Sequence, residues 1–262
     1  MKTEDKSKEL TGNAAKFVFV PIELITEWNN NRWLVAMYIY SQIRMGLDDR
    51  CQIVASDAVK WIGKKKNNNI TGVNTKMSAA MYDLIELGYV KKTEEKSWYQ
   101  VIPEMRTGRE GFNRYTILYL DEIERIINYC KENNEPHVEK VLLLFAYYRI
   151  NIFRKKLGGT ADYAEIYADY FTNIARKTSM TNKTVVWATD ILEKVKLIVH
   201  VTPNPRRVNG KWRTDKTVFV NYEKRNNTKL LLSGADYYKA ELKKAQLQIS
   251  EGTAHEKYED AS

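Results

Sequence analysis

The chain has 262 residues, of which 44% are hydrophobic and 11% aromatic, so it can bury the cores of two ordinary domains and is not a disordered chain. Its apolar runs fall short of the roughly 20 residues that a membrane span needs, and its first residues are too charged for a secretory signal. We therefore expect a cytoplasmic protein with no membrane partner. The net charge of +9 indicates an acidic binding partner.

The first predicted elements follow a polar segment, residues 1–14, that we expect to be a disordered tail. Alternating apolar residues predict a strand at 17–21. Apolar residues at helical spacing then predict helices at 33–39, 56–62 and 74–87, and a hairpin is predicted at 89–102.

A basic loop separates the second and third of these helices. Residues 63–72 are too many for a tight turn, and residues 60–76 hold five lysines and no acid, so this loop could follow a phosphate backbone. Glu94 and Glu95 at the hairpin tip would instead repel DNA. The DNA contacts predicted in this region are Lys64, Lys65, Lys66, Thr75 and Lys76. A scaffold or self-association role for the region stays open.

A second strand and a long helix come next, at residues 116–120 and 121–133. The apolar face of the helix holds Ile123, Ile126 and Ile127, and Asn133 and Asn134 mark its end before Pro136. We expect this helix to link two domains.

A two-helix corner is predicted at residues 172–182. Ile174 and Ala175 mark the inner face of a short first helix, and Ala175 is small enough for a second helix to cross it closely. Ser179 falls at the turn, and Thr181 can cap the second helix, at 183–195. The inner face of that helix holds Val185, Ala188, Ile191 and Leu192. This spacing is typical of corners whose second helix lies in the major groove of DNA.

A basic hairpin follows the corner. Residues 197–201 and 218–220 alternate and are β-branched, and residues 202–216 between them are rich in turn residues and carry five basic side chains. The stretch 172–225 holds twelve Lys or Arg and four Asp or Glu, which leaves in it eight of the chain's nine net positive charges. Positive charge concentrated in one segment is typical of a phosphate-binding face.

Helix, corner, helix and basic hairpin together resemble the winged helix-turn-helix family of DNA-binding domains, over residues 138–222. The resemblance implies that 183–195 is the recognition helix and 206–213 the wing. The DNA contacts predicted here are Arg176, Lys177, Thr181, Asn182, Lys183, Thr184, Trp187, Arg206, Arg207, Lys211, Arg213 and Lys216. Winged helices that bind only protein, and basic loops that are merely solvated, are the alternative interpretation.

The two halves of the chain repeat one order of predicted elements. Each begins with a strand and an acidic helix start. At a constant offset of 107, one set of residues lies opposite another in the third helices: Lys76, Asp83, Ile85 and Glu86 opposite Lys183, Asp190, Leu192 and Glu193. The sequence therefore indicates a duplication of one winged-helix unit.

Residue types that could carry catalysis are scattered. The sequence has no glycine-rich nucleotide-binding motif, and His137, His200 and His255 lie far apart in it. Cys51 and Cys130 lack the spacing of a zinc site or a disulfide framework, so we expect partly buried, reduced thiols. The prediction is a protein that is not an enzyme and has no catalytic residue, metal or cofactor.

The sequence thus predicts a mainly α protein with small β-hairpins, of the α+β class, built from two winged helix-turn-helix domains in tandem. The domains are expected at 15–120 and 136–225, with a linker helix at 121–135 and a partly helical C-terminal tail at 226–262. Tandem winged helices resemble the replication initiators of plasmids, phages and other mobile elements. That resemblance implies double-stranded DNA as partner, with the helicase or its loader as a second. A transcriptional regulator, a helicase-loading adaptor that binds protein through its winged helices, and a homodimer also stay open.

Overall fold

The computed structural model of the chain describes residues 17–28, 31–45, 49–65, 69, 72–103, 105, 115–152, 165–202, 206–208, 211–213, 216–226 and 229–250. These residues form a mixed α+β fold whose paired strands are antiparallel. The chain divides into two compact units, Met1–Ala146 and Tyr147–Ser262. The disordered tail predicted for residues 1–14 lies outside the described residues.

The described elements repeat one order along the chain. The first repeat, residues 17–101, consists of β1 (Phe17–Pro21), α1 (Ile22–Thr26), α2 (Asn31–Arg44), β2 (Arg50–Gln52), α3 (Ala55–Trp61), α4 (Val73–Glu86), β3 (Val90–Lys92) and β4 (Trp98–Val101). The second repeat, residues 115–221, consists of β5 (Tyr115–Tyr119), α5 (Leu120–Glu132), α6 (Val138–Asn151), β6 (Ile166–Asp169), α7 (Phe171–Lys177), α8 (Asn182–Lys194), β7 (Ile198–Val201), β8 (Arg206–Val208), β9 (Lys211–Arg213) and β10 (Thr217–Asn221). Thus β8 and β9 are an addition to the second repeat.

Each repeat contains a three-stranded sheet with the same strand order. The orders are β2-β4-β3 and β6-β10-β7. In the first sheet Tyr99 of the middle strand pairs with Cys51, and in the second Phe219 pairs with Tyr167. The small sheets were predicted, but the sequence reasoning missed β2 and β6.

The structure shifts the predicted alignment of α4 with α8 by one residue. The buried residues of α4 are Met77, Ala80, Met81 and Leu84, and at an offset of 108 they fall on four buried residues of α8, namely Val185, Ala188, Thr189 and Leu192. After α4 the chain turns at Gly88 (φ 79°), and after α8 it turns at Lys196 (φ 57°), again 108 residues on. The offset of 107 is therefore wrong, because three of the four residue pairs that fixed it are charged pairs rather than pairs on the buried face.

The turn that ends α3 in the first repeat is also the same as the turn that ends α7 in the second. The amides of Gly63 and Lys64 donate to Lys60 O and Val59 O. The amides of Ser179 and Met180, 116 residues on, donate in the same way to Arg176 O and Ala175 O. Since the offset falls from 116 before the corner to 108 after it, the first corner is eight residues longer. The stretched first corner was predicted from the sequence.

Two long helices supply much of the buried apolar volume. Residues 33–42 of α2 and 141–148 of α6 are all buried, as expected of helices that are apolar on every side. In the first unit Tyr38 and Tyr89 pack edge to face, and in the second Tyr148 stacks on Phe219 with ring centroids 4.5 Å apart.

The strands that open the two repeats pair with each other. In this two-stranded sheet Phe19 lies opposite Ile117, and Phe17 lies opposite Tyr119. The free edge of β1 is closed by Gln42, whose amide both accepts from Phe19 N at 3.0 Å and donates to Phe19 O at 2.6 Å. By order β5 begins the second repeat, but by contacts it belongs to the first compact unit. The division between the units lies inside α6, whereas the sequence placed a linker at 121–135.

Three further elements follow the second repeat: β11 (Glu223–Asn226), β12 (Lys229–Ser233) and α9 (Ala235–Ser250). The partly helical tail predicted at 226–262 is thus helical over α9. This helix is fixed to the start of β6, since Tyr237 Oη donates to Glu165 at 3.1 Å and Glu241 accepts from Glu165 N at 2.8 Å.

Candidate nucleic-acid interface

The corner between α7 and α8 has the form that the sequence predicted. Ser179 has a left-handed backbone (φ 53°), which turns the chain sharply, and Ile174 and Ala175 are buried beneath it. Thr181 caps α8, because its Oγ1 accepts from Thr184 N at 3.2 Å. The predicted turn residue and the predicted cap are both confirmed.

A buried carboxylate holds the short helix α7 in place. Asp169 accepts from the Tyr170 amide at 2.8 Å and from Asn173 Nδ2 at 2.9 Å. Its second oxygen accepts from Tyr167 Oη at 2.8 Å and lies 3.3 Å from Lys177 Nζ. Burial by itself would raise the pKa of Asp169, but these hydrogen bonds and the ammonium outweigh it and hold that pKa below its ordinary value. Lys177, a predicted DNA contact, is thus paired within the protein.

The outward stripe of α8 consists of five exposed residues, Asn182, Lys183, Val186, Asp190 and Lys194. The predicted contacts Asn182 and Lys183 begin this stripe. Two other predicted contacts, Thr184 and Trp187, are half-buried, and Thr184 Oγ1 lies 2.9 Å from Thr181 Oγ1. Sequence reasoning missed Val186, since helical spacing identified its neighbour Val185 as the core residue but not the direction of Val186.

Two contacts fasten α8 to the rest of its unit. Tyr148 Oη lies 2.7 Å from Thr189 Oγ1 in the core. In the last turn, Glu193 accepts from His200 N at 2.8 Å and lies 2.9 Å from His200 Nδ1. Burial opposes ionisation of Glu193, but the contacts with His200 hold its pKa below the ordinary value. The helix is therefore tied to the strand that leads into the basic hairpin.

The hairpin β8–β9 leaves the sheet between β7 and β10. Its backbone pairs Arg206 with Arg213, Arg207 with Trp212, and Val208 with Lys211. The strands from which it departs pair Val201 with Val218. Two further predicted contacts, Arg176 and Lys216, are exposed.

The predicted contacts of the first repeat have different surroundings. Lys64 Nζ lies 3.5 Å from the carboxylate of Glu139 in α6, with the two side chains 17% and 2% exposed, and it also donates to Pro136 O. Lys65 is exposed, and Lys66 lies outside the described residues. Thr75 Oγ1 donates to Asn69 O at 2.8 Å, and Lys76 Nζ lies 5.8 Å from the centre of the Trp33 ring. Among these residues Lys65 extends into solvent, whereas Lys64 faces the protein.

The described part of the chain contains no group of three or more His, Cys, Asp or Glu placed to hold a metal ion. Within the same residues, no helix is long and apolar enough to cross a membrane. Cys51 and Cys130 are free thiols that are fully buried rather than partly buried as predicted, and burial raises the pKa of each to about 12.

Comparison with known proteins identifies no relative: no protein-family model matches the chain, and no curated protein matches it.

Proposed function

We propose that the chain is a double-stranded DNA-binding protein built from two winged helix-turn-helix repeats, and that α8 and the β8–β9 hairpin contact the DNA. The observation that carries this proposal is the α7–α8 corner, a tight turn at Ser179 followed by a helix whose first turn exposes Asn182 and Lys183. In helix-turn-helix proteins the first residues of the second helix reach the base edges of the major groove. The role is binding, without catalysis.

The distribution of charge supports DNA as the partner. Residues 172–225 hold twelve basic residues and four acidic ones, so this segment carries nearly the whole net charge of +9. Each Lys or Arg that approaches a phosphate releases condensed counterions, which is the main source of affinity for duplex DNA. A protein-binding winged helix has no such requirement.

The added hairpin of the second repeat supports the same proposal. Of its six residues, four are basic: Arg206, Arg207, Lys211 and Arg213. A basic hairpin beside a recognition helix contacts phosphates or enters the minor groove, where the base pattern is degenerate. We therefore assign affinity to the hairpin and sequence recognition to α8.

Within DNA binding, we favour replication initiation for a plasmid, a phage or another mobile element. Two repeats of one reading unit on a single chain suit a duplex site that is itself repeated, and the helicase or its loader would be the further partner. This step rests on likeness of architecture, which transcriptional regulators share.

Two surface features of the first repeat favour a helicase-loading adaptor instead. The tip of its hairpin exposes Glu94 and Glu95, and Tyr82 on α4 is 69% exposed. Acidic and aromatic side chains are better suited to a protein surface than to a phosphate backbone.

Selection of genomic fragments by the purified protein separates these roles. Recovery of a repeated site at a replication origin supports an initiator, and recovery of the protein's own promoter supports a regulator. If no fragment is recovered while helicase or its loader is captured, the DNA-binding proposal fails.

The salt dependence of duplex binding tests the proposal independently of sequence. With roughly five to eight phosphate contacts, the logarithm of the binding constant should fall with the logarithm of salt concentration at a slope of about −4 to −7. A slope near zero would contradict a DNA-binding face.

A further inference from the structure

Val186 is an apolar side chain on the outward stripe of α8, which is otherwise polar. Its side chain is 39% exposed, whereas that of its neighbour Val185 is fully buried. Lys183 lies one turn before it and Asp190 one turn after it, and both are exposed. Val186 thus occupies the middle of the surface that we assign to base recognition.

Neither helix formation nor core packing accounts for a valine at this position. A β-branched residue loses rotamer freedom in a helix and is a poorer helix former than Ala or Leu. The core beneath this turn is already filled by Val185 and Ala188, which are 0% exposed. At the equivalent position, 108 residues earlier, the first repeat has Ser78, so the shared fold does not require an apolar residue there.

The major groove offers one partner for such a side chain. Base edges in this groove present hydrogen-bond donors, hydrogen-bond acceptors and a single apolar group, the 5-methyl group of thymine. Lys183 can only donate and ionised Asp190 can only accept, so the flanking residues suit an acceptor on guanine and the amino group of cytosine. Val186 can do neither.

We propose that Val186 determines specificity by packing against the 5-methyl group of a thymine in the bound site. This inference rests on the proposed function, because it needs α8 in the major groove. It extends that function by naming a base and the atom that is read. A cytosine methylated at C5 presents the same methyl group at the same place in the groove.

The test replaces each thymine of the selected duplex in turn by deoxyuridine, which lacks the methyl group and keeps the hydrogen-bonding edge. Affinity is measured for the native protein, for Val186→Ala and for Val54→Ala. Val54 is a matched control, since it is a valine of 40% exposure in the first repeat.

In the native protein and in Val54→Ala, one thymine position should lose about fourfold in affinity on substitution, the factor expected for one buried carbon. Val186→Ala should bind the thymine and deoxyuridine duplexes equally at that position. In the native protein, a duplex with 5-methylcytosine at that position should bind more tightly than a duplex with cytosine there. This difference should be absent in Val186→Ala.

Three results overturn the inference while the proposed function stands. They are duplex binding with no sensitive thymine, a sensitive thymine that stays sensitive in Val186→Ala, and disappearance of the thymine sensitivity in Val54→Ala as well as in Val186→Ala. Absence of duplex binding in the native protein overturns the proposed function itself. Because Val186 is exposed, Val186→Ala should leave the unfolding midpoint unchanged. The deoxyuridine scan of the native protein does not depend on how that variant folds.

Discussion

After the shared turn, the first repeat has Lys64 where the second repeat has Met180. Both amides donate back to the preceding helix in the same way. Met180 is a half-buried apolar residue, whereas Lys64 extends to the buried carboxylate of Glu139. One backbone position can therefore be filled by an apolar side chain or by an ion pair. The second solution removes a cation from the surface of the first corner.

The outward faces of α4 and α8 differ as well. In α8 that face contains Lys183, Val186 and Asp190, and the equivalent residues in α4 are Thr75, Ser78 and Tyr82. Four buried positions of α4 match buried positions of α8, so the two helices share a packing pattern and differ in surface chemistry. This contrast is the basis for assigning base recognition to the second repeat.

The largest effect is expected from breaking the ion pair of the first corner. Lys64→Met copies the second repeat and leaves the buried Glu139 with His137, 3.3 Å away, but without its lysine. We therefore expect the free energy of unfolding to fall by about 3 kcal/mol. Urea unfolding followed by circular dichroism measures the change.

Two variants complete that experiment. Lys64→Met combined with Glu139→Leu should recover at least half of the loss, because the unpaired charge is then gone. Lys65→Met, the exposed neighbour, should change stability by less than about 0.5 kcal/mol. Equal stability of the single and double variants would show that the pair does not hold the corner.

The next effect is on recognition of the selected DNA site. Asn182→Ala and Lys183→Ala should each weaken specific binding by about 1 to 3 kcal/mol and leave the fold intact. The matched variants are Asn74→Ala and Thr75→Ala, at the equivalent positions of α4, and these should change binding by less than about 0.5 kcal/mol. Titration of labelled duplex gives all four values. Equal losses in the two repeats would mean that both helices read bases, and would remove the contrast drawn above.

The smallest effect is expected from the hairpins. Arg206→Ala with Arg207→Ala should weaken cognate and random duplex by similar factors and make the salt slope shallower by about 1 to 2 units. Lys91→Ala with Lys92→Ala, two exposed residues on β3 of the first hairpin, should leave the slope unchanged. Loss of cognate binding with an unchanged slope in the Arg206 and Arg207 variant would instead assign sequence reading to the wing.

Local signals were sufficient to predict much of the fold. The spacing of Ile174, Ala175 and Val185 placed the corner, and Thr181 was recognised as a cap from its residue type. The strand β2 was missed because Arg50–Gln52 is three residues long, too short for its single buried residue between two exposed ones to stand out as a strand pattern. Such a strand is stabilised by its partner β4 rather than by its own sequence.

The candidate site was predicted less completely, since its surroundings depend on distant residues. Lys64 and Lys65 are adjacent in the sequence and chemically identical, yet Glu139, from a helix much later in the chain, pairs with Lys64. This distinction is not encoded in a short stretch of sequence. By contrast, helical spacing was sufficient to place Val185, rather than its identical neighbour Val186, in the core.

The pairing of β1 with β5 constrains the order of events during translation. Phe17 is made early but its partner Tyr119 emerges from the ribosome only after the whole first repeat has been synthesised. Until then β1 presents an unsatisfied edge, and closing so long a loop is entropically costly. The pairing of β1 must therefore wait for the opening strand of the second repeat, and expression of the first repeat alone would leave β1 without that partner.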